Sequence, residues 1–194
     1  PASVEVSHAD PKVRQPELSL YFIGTSYMSG EGLEPHALDV AVDVLGGGQT
    51  SRLYRGLVET GLAVSASANV WTSLTAPAPI IISVTPAEGV SLDDLLVATD
   101  AIVADFLAEG PTQEEADRAI RSLVASTIYS RDSQSSMARI YGATLAQGGT
   151  VDDVLAWPGE VEQVTPDMAR DAARKYIVRD RTVIARLWPE GEGE

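Results

Sequence analysis

Chemistry in this chain has few carriers: two histidines, three pairs of adjacent carboxylates, dispersed arginines and one run of three glycines, with no cysteine. The lack of cysteine removes disulfides, thiolate catalysis and Cys-ligated zinc. His8 lies in a proline-rich start, and His36 follows Pro35 at the start of a helical pattern. Two histidines on one helix face, as in His-x-x-Glu-His, would hold zinc, but His36-Ala37-Leu38-Asp39-Val40 does not supply the second one. Glu31 and Glu34 could join His36 around a cation. The plainer reading is a surface histidine on a polar turn, and no metal ligand is assigned. No Gly-x-Ser-x-Gly elbow is present, and the serines have no evident histidine base. Asp93-Asp94, Glu114-Glu115 and Asp152-Asp153 each fall in the first turn of a predicted helix, where negative charge complements the macrodipole. No catalytic residue is assigned.

The glycines stand in Leu45-Gly46-Gly47-Gly48-Gln49-Thr50-Ser51-Arg52-Leu53-Tyr54-Arg55. Three adjacent glycines cost conformational entropy, so the site requires a positive φ or close backbone approach. A dinucleotide fingerprint would follow a strand, whereas this run follows a helical pattern, and no P-loop lysine accompanies it. Arg52 and Arg55 could hold a peptide carboxylate near a helix N-terminus or pair with surface acids. Gly46, Gly47, Gly48, Arg52 and Arg55 are therefore the candidate substrate-binding residues.

Periodicity gives the elements that position them. Glu17–Thr25 reads as a strand, with Leu18, Leu20 and Phe22 on one face. Leu38, Ala41, Val42 and Leu45 form a buried helical stripe that the glycines terminate. Thr50 or Ser51 caps a short helix, with Leu53, Tyr54, Leu57 and Val58 inward. Residues 62–71 alternate, Leu62, Val64 and Val70 against Ser65, Ser67 and Asn69, and residues 80–84 form a neighbouring strand. Ser91 starts a helix with the stripe Leu92, Leu95, Leu96, Thr99, Ile102, Val103 and Phe106. Thr112-Gln113-Glu114-Glu115 is a capping box opening a helix that turns Ala116, Ala119, Ile120, Leu123 and Ile128 inward. Further helices span about 133–147 and start at Thr165-Pro166, and residues 181–188 close as a strand. The order β-α-α-β-β-α-α-α-α-β predicts an α+β two-layer sandwich, a mainly antiparallel sheet with helices on one face. Residues 1–16 read as an extended lead-in, 17–189 as a single domain and 190–194 as a disordered polar tail.

Composition narrows the partners. Asp and Glu outnumber Lys and Arg 28 to 14, giving a net charge of −14, with Lys12 and Lys175 the only lysines. Nucleic-acid binding needs clustered cations and is excluded. An acidic surface keeps the chain soluble and can attract basic substrates. No apolar run approaches the ~18–20 residues of a membrane span, and the first residues carry no signal-peptide core. A start at Pro1 rather than Met fits a piece cut from a longer protein.

Against this background, the glycine segment from Val40 to Arg55 resembles the glycine-loop region in the C-terminal half of bacterial zinc proteases of the insulinase, pitrilysin and mitochondrial processing peptidase family. Asp10-Pro11-Lys12-Val13-Arg14-Gln15-Pro16 resembles the lead into that half. Gly61-Leu62-Ala63-Val64-Ser65-Ala66-Ser67 resembles its long strand, and Glu109-Gly110-Pro111-Thr112-Gln113-Glu114-Glu115 its link between two helices. The resemblance runs from about residue 8 to 189. It implies a LuxS/processing-peptidase-like metallohydrolase fold, with two halves closing around a peptide chamber and zinc held in the N-terminal half. This chain would then be the non-catalytic half, with no cofactor of its own. It would contribute chamber wall, peptide contacts and an assembly surface, joined to an N-terminal zinc domain of the same chain.

One departure bears on that expectation. The family's Leu-Arg-Glu-x-x-Gly-Leu-Ala-Tyr pattern supplies an arginine and a tyrosine that orient substrate. The stretch here is Leu57-Val58-Glu59-Thr60-Gly61-Leu62-Ala63-Val64, one residue shorter before the glycine and with valine at both positions. Valine neither donates to an oxyanion nor forks onto a carboxylate. The resemblance therefore implies a second family subunit supplying the Arg/Tyr pair. The alternative is an inactive structural subunit of the same fold. A periplasmic location is favoured by the resemblance alone.

Overall fold

Alternation along β2 (Glu17–Ile23) sets the sheet: Leu18, Leu20 and Phe22 are buried, while Tyr21 and Ile23 on the other face are exposed. This is the period-two pattern of a strand covered on one side. The structure is a computed structural model describing residues 3–191. β2 pairs antiparallel with β4 (Pro79–Pro86), which sets Leu20 opposite Ile82 and Phe22 opposite Ile80. Its other edge pairs antiparallel with β5 (Val183–Pro189). β3 (Ala63–Val70) lies antiparallel to β4 at one edge of the sheet. β1 (Val4–Asp10) lies parallel to β5 at the other, giving the order β1-β5-β2-β4-β3.

β1 falls within the segment expected as lead-in. Its Val4 and Val6 share a face but are half exposed, and polar contacts add to its backbone pairing with β5. Arg186 reaches Glu5 at 2.6 Å, and Trp188 Nε1 donates to Ser7 at 3.1 Å. Of the expected polar tail, residues 192–194 lie outside the described residues.

The helices are α1 (Glu34–Gly46), α2 (Leu92–Glu109), α3 (Gln113–Ser130), α4 (Gln134–Ala146), α5 (Val151–Val161) and α6 (Pro166–Tyr176). Their starts follow the expected caps at Ser91, Thr112 and Thr165, and Ser133 caps α4 in the same way, each accepting a backbone N–H of the first turn. α5 begins where Asp152-Asp153 are read as a helical first turn, although the expected element order carries no helix there. Thr150 and Asp153 form its capping box, while Pro158 inside it interrupts the periodicity by which a helix is read. Phe106 of α2 packs with Leu18, Leu20, Leu38 and Ile82 among the fully buried side chains of the core.

Two orientations differ from the sequence reading. Ile128 was expected inward but is 54% exposed, because α3 runs past the end of the core after Val124. Val64 was placed on the same face as Val70, yet a bulge between Ala63 and Ser65 turns Ala63 in and leaves Val64 54% exposed. One extra residue in a strand reverses every side chain before it.

Candidate functional site

α1 is apolar nearly all round, and Val40, Ala41, Val42, Val44 and Leu45 are all buried. Such a helix must cross the core closely, and the glycine run is where it does so. A Cβ on Gly46 would lie 2.1 Å from the Ala68 backbone nitrogen, so α1 lies directly against β3 there. A Cβ on Gly47 would meet the Asp43 carboxylate at 2.2 Å. Gly48 turns the chain at φ +141°, in the region glycine favours, with open space where a side chain would stand.

The bare backbone of these glycines borders a cleft of about 430 Å³. Its opposite wall is Ala66–Val70 of edge strand β3, and its remaining lining includes Asp39, Asp43, Val42 and Leu123. A second hollow of about 100 Å³ shares Asp43 and Gly47 and runs on to Thr50, Ser51, Glu115 and Arg118. The structure thus brings Gly46, Gly47 and Gly48 together with two aspartates that the sequence reading did not single out. Their signal was present: Asp39 and Asp43 stand four residues apart in a helix otherwise apolar, which implies carboxylates carried into the interior. Burial pushes Asp39 up to about 7, and the hydrogen bonds from Tyr27 and Thr72 offset only part of that cost. Burial likewise pushes Asp43 up to about 6.

Arg52 and Arg55 go elsewhere. Ser51 accepts the Tyr54 backbone N–H at 3.3 Å and so caps the short helix, as one of the two expected residues. That helix widens over Tyr54–Val58, with hydrogen bonds spanning five residues, Glu59 N–H to Tyr54 and Leu62 N–H to Leu57. Leu53 and Leu57 are buried, whereas Tyr54 and Val58 are only partly covered. Arg52 forks onto Glu115 at 3.1 and 2.8 Å, donates to the Gly110 carbonyl at 2.8 Å and stacks over Phe106 at 5.3 Å. Arg55 donates to the same carboxylate at 2.9 Å with its side chain 47% exposed. Burial alone would raise Glu115, but Arg52 and the Thr112 backbone hold it at about 2. Both arginines pair with the same acid, Glu115.

His36 is a correction. Expected on a polar surface turn, it is 5% exposed, its ring 4.9 Å from Tyr27 and 6.4 Å from Trp157. The physical reason is α5, whose Trp157 and Glu160 cover the start of α1. Glu34 pairs with Lys175, and among the described residues no three His, Cys, Asp or Glu side chains converge to hold a metal. The residues present do not fit zinc: His8 stands on edge strand β1, away from His36 in α1, and neither has a histidine partner. No described helix is long and apolar enough to cross a membrane.

A family model for the inactive domain of peptidase M16 matches residues 2–123, more than half of the chain. The chain belongs to the peptidase M16 family and is a domain of the type that family calls inactive. A protease from Helicobacter pylori shares the fold at TM-score 0.86 and 17% identity, over 97% of this chain and 44% of that one. The peptidase M16 inactive domain from Pseudomonas fluorescens gives 0.81 and 21%, again over 97% of this chain and 44% of that one. The periplasmic protease PqqL from Escherichia coli gives 0.73 and 19%, over 97% of this chain and 21% of that one. The chain therefore spans less than half the length of these relatives, and the shared fold extends beyond residue 123. No curated protein matches.

Proposed function

We propose that this domain is the zinc-free wall of a peptide chamber in a longer zinc protease, and that the cleft beside Gly46, Gly47 and Gly48 faces the peptide. The observation that carries this reading is the cleft itself. Its glycine wall presents backbone without side chains, and its opposite wall is an edge strand. An extended peptide gains backbone hydrogen bonds from such an edge. Zinc would reside in the N-terminal half of the longer chain, and the Arg/Tyr pair absent at Val58 and Val64 would come from a second family subunit. Arg52 and Arg55 then act by fixing the α2–α3 link behind the cleft, with half-exposed Arg55 nearer to solvent.

Asn69→Trp tests the reading, since Asn69 is exposed and lines the cleft. In the full-length protease with its partner, KM for peptide should rise roughly tenfold with kcat little changed. Unchanged kinetics would remove the cleft from the substrate path. A second reading, an assembly subunit of the same fold without proteolysis, is favoured by the two valines. A longer chain lacking His-x-x-Glu-His would select it. We also infer a periplasmic location, supported by the E. coli neighbour and checked by cell fractionation.

A further inference from the structure

Gly46 and Gly47 each leave room at a polar group that a side chain would cover. On β3 the pairing with β4 fixes which backbone groups are free. Trp71 N–H donates to the Pro79 carbonyl at one end of the hairpin, at 3.4 Å, and Ala87 N–H to the Leu62 carbonyl at the other, at 3.0 Å. Between these ends Ser65, Ser67 and Asn69 stand opposite Thr85, Ser83 and Ile81. Hydrogen-bonded and open pairs alternate along an antiparallel ladder. Ser65, Ser67 and Asn69 therefore bond to β4, while Ala66, Ala68 and Val70 turn their N–H and C=O to the free edge of the sheet. A Cβ on Gly46 would stand 2.1 Å from the Ala68 nitrogen, so glycine there leaves room at that donor. A Cβ on Gly47 would stand 2.2 Å from Asp43 Oδ1, so glycine there leaves the carboxylate open to both hollows. Among the described residues no hydrogen bond or ion pair reaches that carboxylate. Asp39, one turn before it, has its two oxygens on Tyr27 and Thr72. Arg118, which lines the smaller hollow, leans toward Glu114 at 3.7 Å, and Arg52 and Arg55 are taken by Glu115. A row of unpaired strand groups thus lies beside one uncompensated carboxylate.

We propose that Asp43 is the specificity-determining residue of the cleft: an extended peptide pairs with Ala66, Ala68 and Val70, and one of its cationic side chains passes over Gly47 to the Asp43 carboxylate. This rests on the chamber-wall reading and adds a substrate class to it, peptides carrying a basic residue. Strand geometry supports the placement. Successive side chains of a strand point to opposite faces of the sheet, so every second residue of the bound segment is directed at the helix layer that carries Asp43. The intervening residues lie over the open face, beside Ser67 and Asn69, where no charge is offered to them. A primary ammonium or a guanidinium supplies the donors that Asp43 lacks, and a charge-assisted bond in a half-covered site is stronger than one in open water. Burial lifts Asp43 to about 6, so at neutral pH most molecules carry the charge, and an incoming cation favours that form further.

Equilibrium binding to the full-length protease with its partner, in chelator to stop turnover, tests the assignment at neutral pH. The probes are a fluorescein-labelled Ala/Ser peptide with one central Lys and the same peptide with norleucine in its place, read by fluorescence anisotropy. The Lys peptide should bind roughly tenfold tighter. Asp43→Asn should erase that preference and leave the affinity for the norleucine peptide unchanged, whereas Asn69→Trp should weaken both. Equal affinity of the wild type for the two peptides overturns the proposal without any variant having to fold. A preference for Lys that survives Asp43→Asn, or an equal loss for both peptides in that variant, overturns it as well. Equal binding that Asn69→Trp weakens leaves the chamber-wall reading standing. Binding of neither peptide, or binding that Asn69→Trp does not alter, removes both.

Discussion

Two buried carboxylates flank the glycine run, and the chain treats them in opposite ways. Glu115, at the start of α3, is forked by Arg52, joined by Arg55 and bonded to the Thr112 backbone, and it is held at about 2. Asp39, in the middle of α1, receives only the hydroxyls of Tyr27 and Thr72 and is pushed up to about 7. Burial opposes ionisation in both. The difference is a guanidinium: a full positive charge with matched fork geometry outweighs desolvation, and two neutral donors do not. Glu115 is thus a permanently charged rivet between the short helix and the α2–α3 link, whereas Asp39 is a carboxyl whose charge is decided near neutrality.

The contrast is easiest to break at its cationic side. Arg52→Ala should cost about 3 kcal/mol, because a mostly covered carboxylate and the Gly110 carbonyl lose their main donor. Denaturant unfolding at pH 7 would reveal a smaller loss if Arg55 can take over. Glu115→Gln should cost about 2 kcal/mol at pH 7 and alter the acid limb. A carboxylate held below its unfolded 4.5 contributes stability above that pH and loses it as pH falls toward about 2. The variant should therefore lose less stability than wild type over that interval.

Asp39 has the reverse sign. Its folded value is raised from 3.8 to about 7, so the folded state holds a proton that the unfolded chain releases, and stability declines as pH rises across that range. Asp39→Asn should be nearly neutral at pH 5 and should stabilise by about 1–2 kcal/mol at pH 8.5, read as a shift in denaturation midpoint. A loss at both pH values would mean that the carboxylate is required in its charged form. Smallest of all, Arg55→Ala should cost under ~1 kcal/mol, since its half-exposed guanidinium is screened by water. A loss matching that of Arg52→Ala would show that the two arginines act as one unit.

Much of this architecture was legible in local pattern. The stripes on α1 and α2, the alternation of β2 and the caps at Ser91, Thr112 and Thr165 are each set by residues within a turn or two. β1 was not, because two half-exposed valines alternating with Glu5 and Ser7 make too short a pattern, and its partners Arg186 and Trp188 lie at the far end of the chain. The start of α5 was legible in Asp152-Asp153, whereas Pro158 obscured its continuation. Val64 was misplaced because a bulge leaves no mark in alternation. At the candidate site the glycines were visible and their neighbours were not. Asp39 and Asp43 carried a signal, acids four residues apart in a mostly apolar helix, but what they face was set only when the chain folded.

The sequence by itself determined most helices and most strands, the absence of a thiol or paired-histidine centre, and the glycine run as a place of close backbone approach. These follow from side-chain chemistry and from periods of 3.6 and 2, which need no distant partner. Only the tertiary structure decided what the glycines approach, which arginine is locked and which half-exposed, and why His36 is buried. Each of those depends on groups far apart in the chain, Gly46 on Ala68, Arg52 on Glu115 and His36 on Glu160. Their energies are set by burial and by the charge of the partner, and neither exists until the chain has folded.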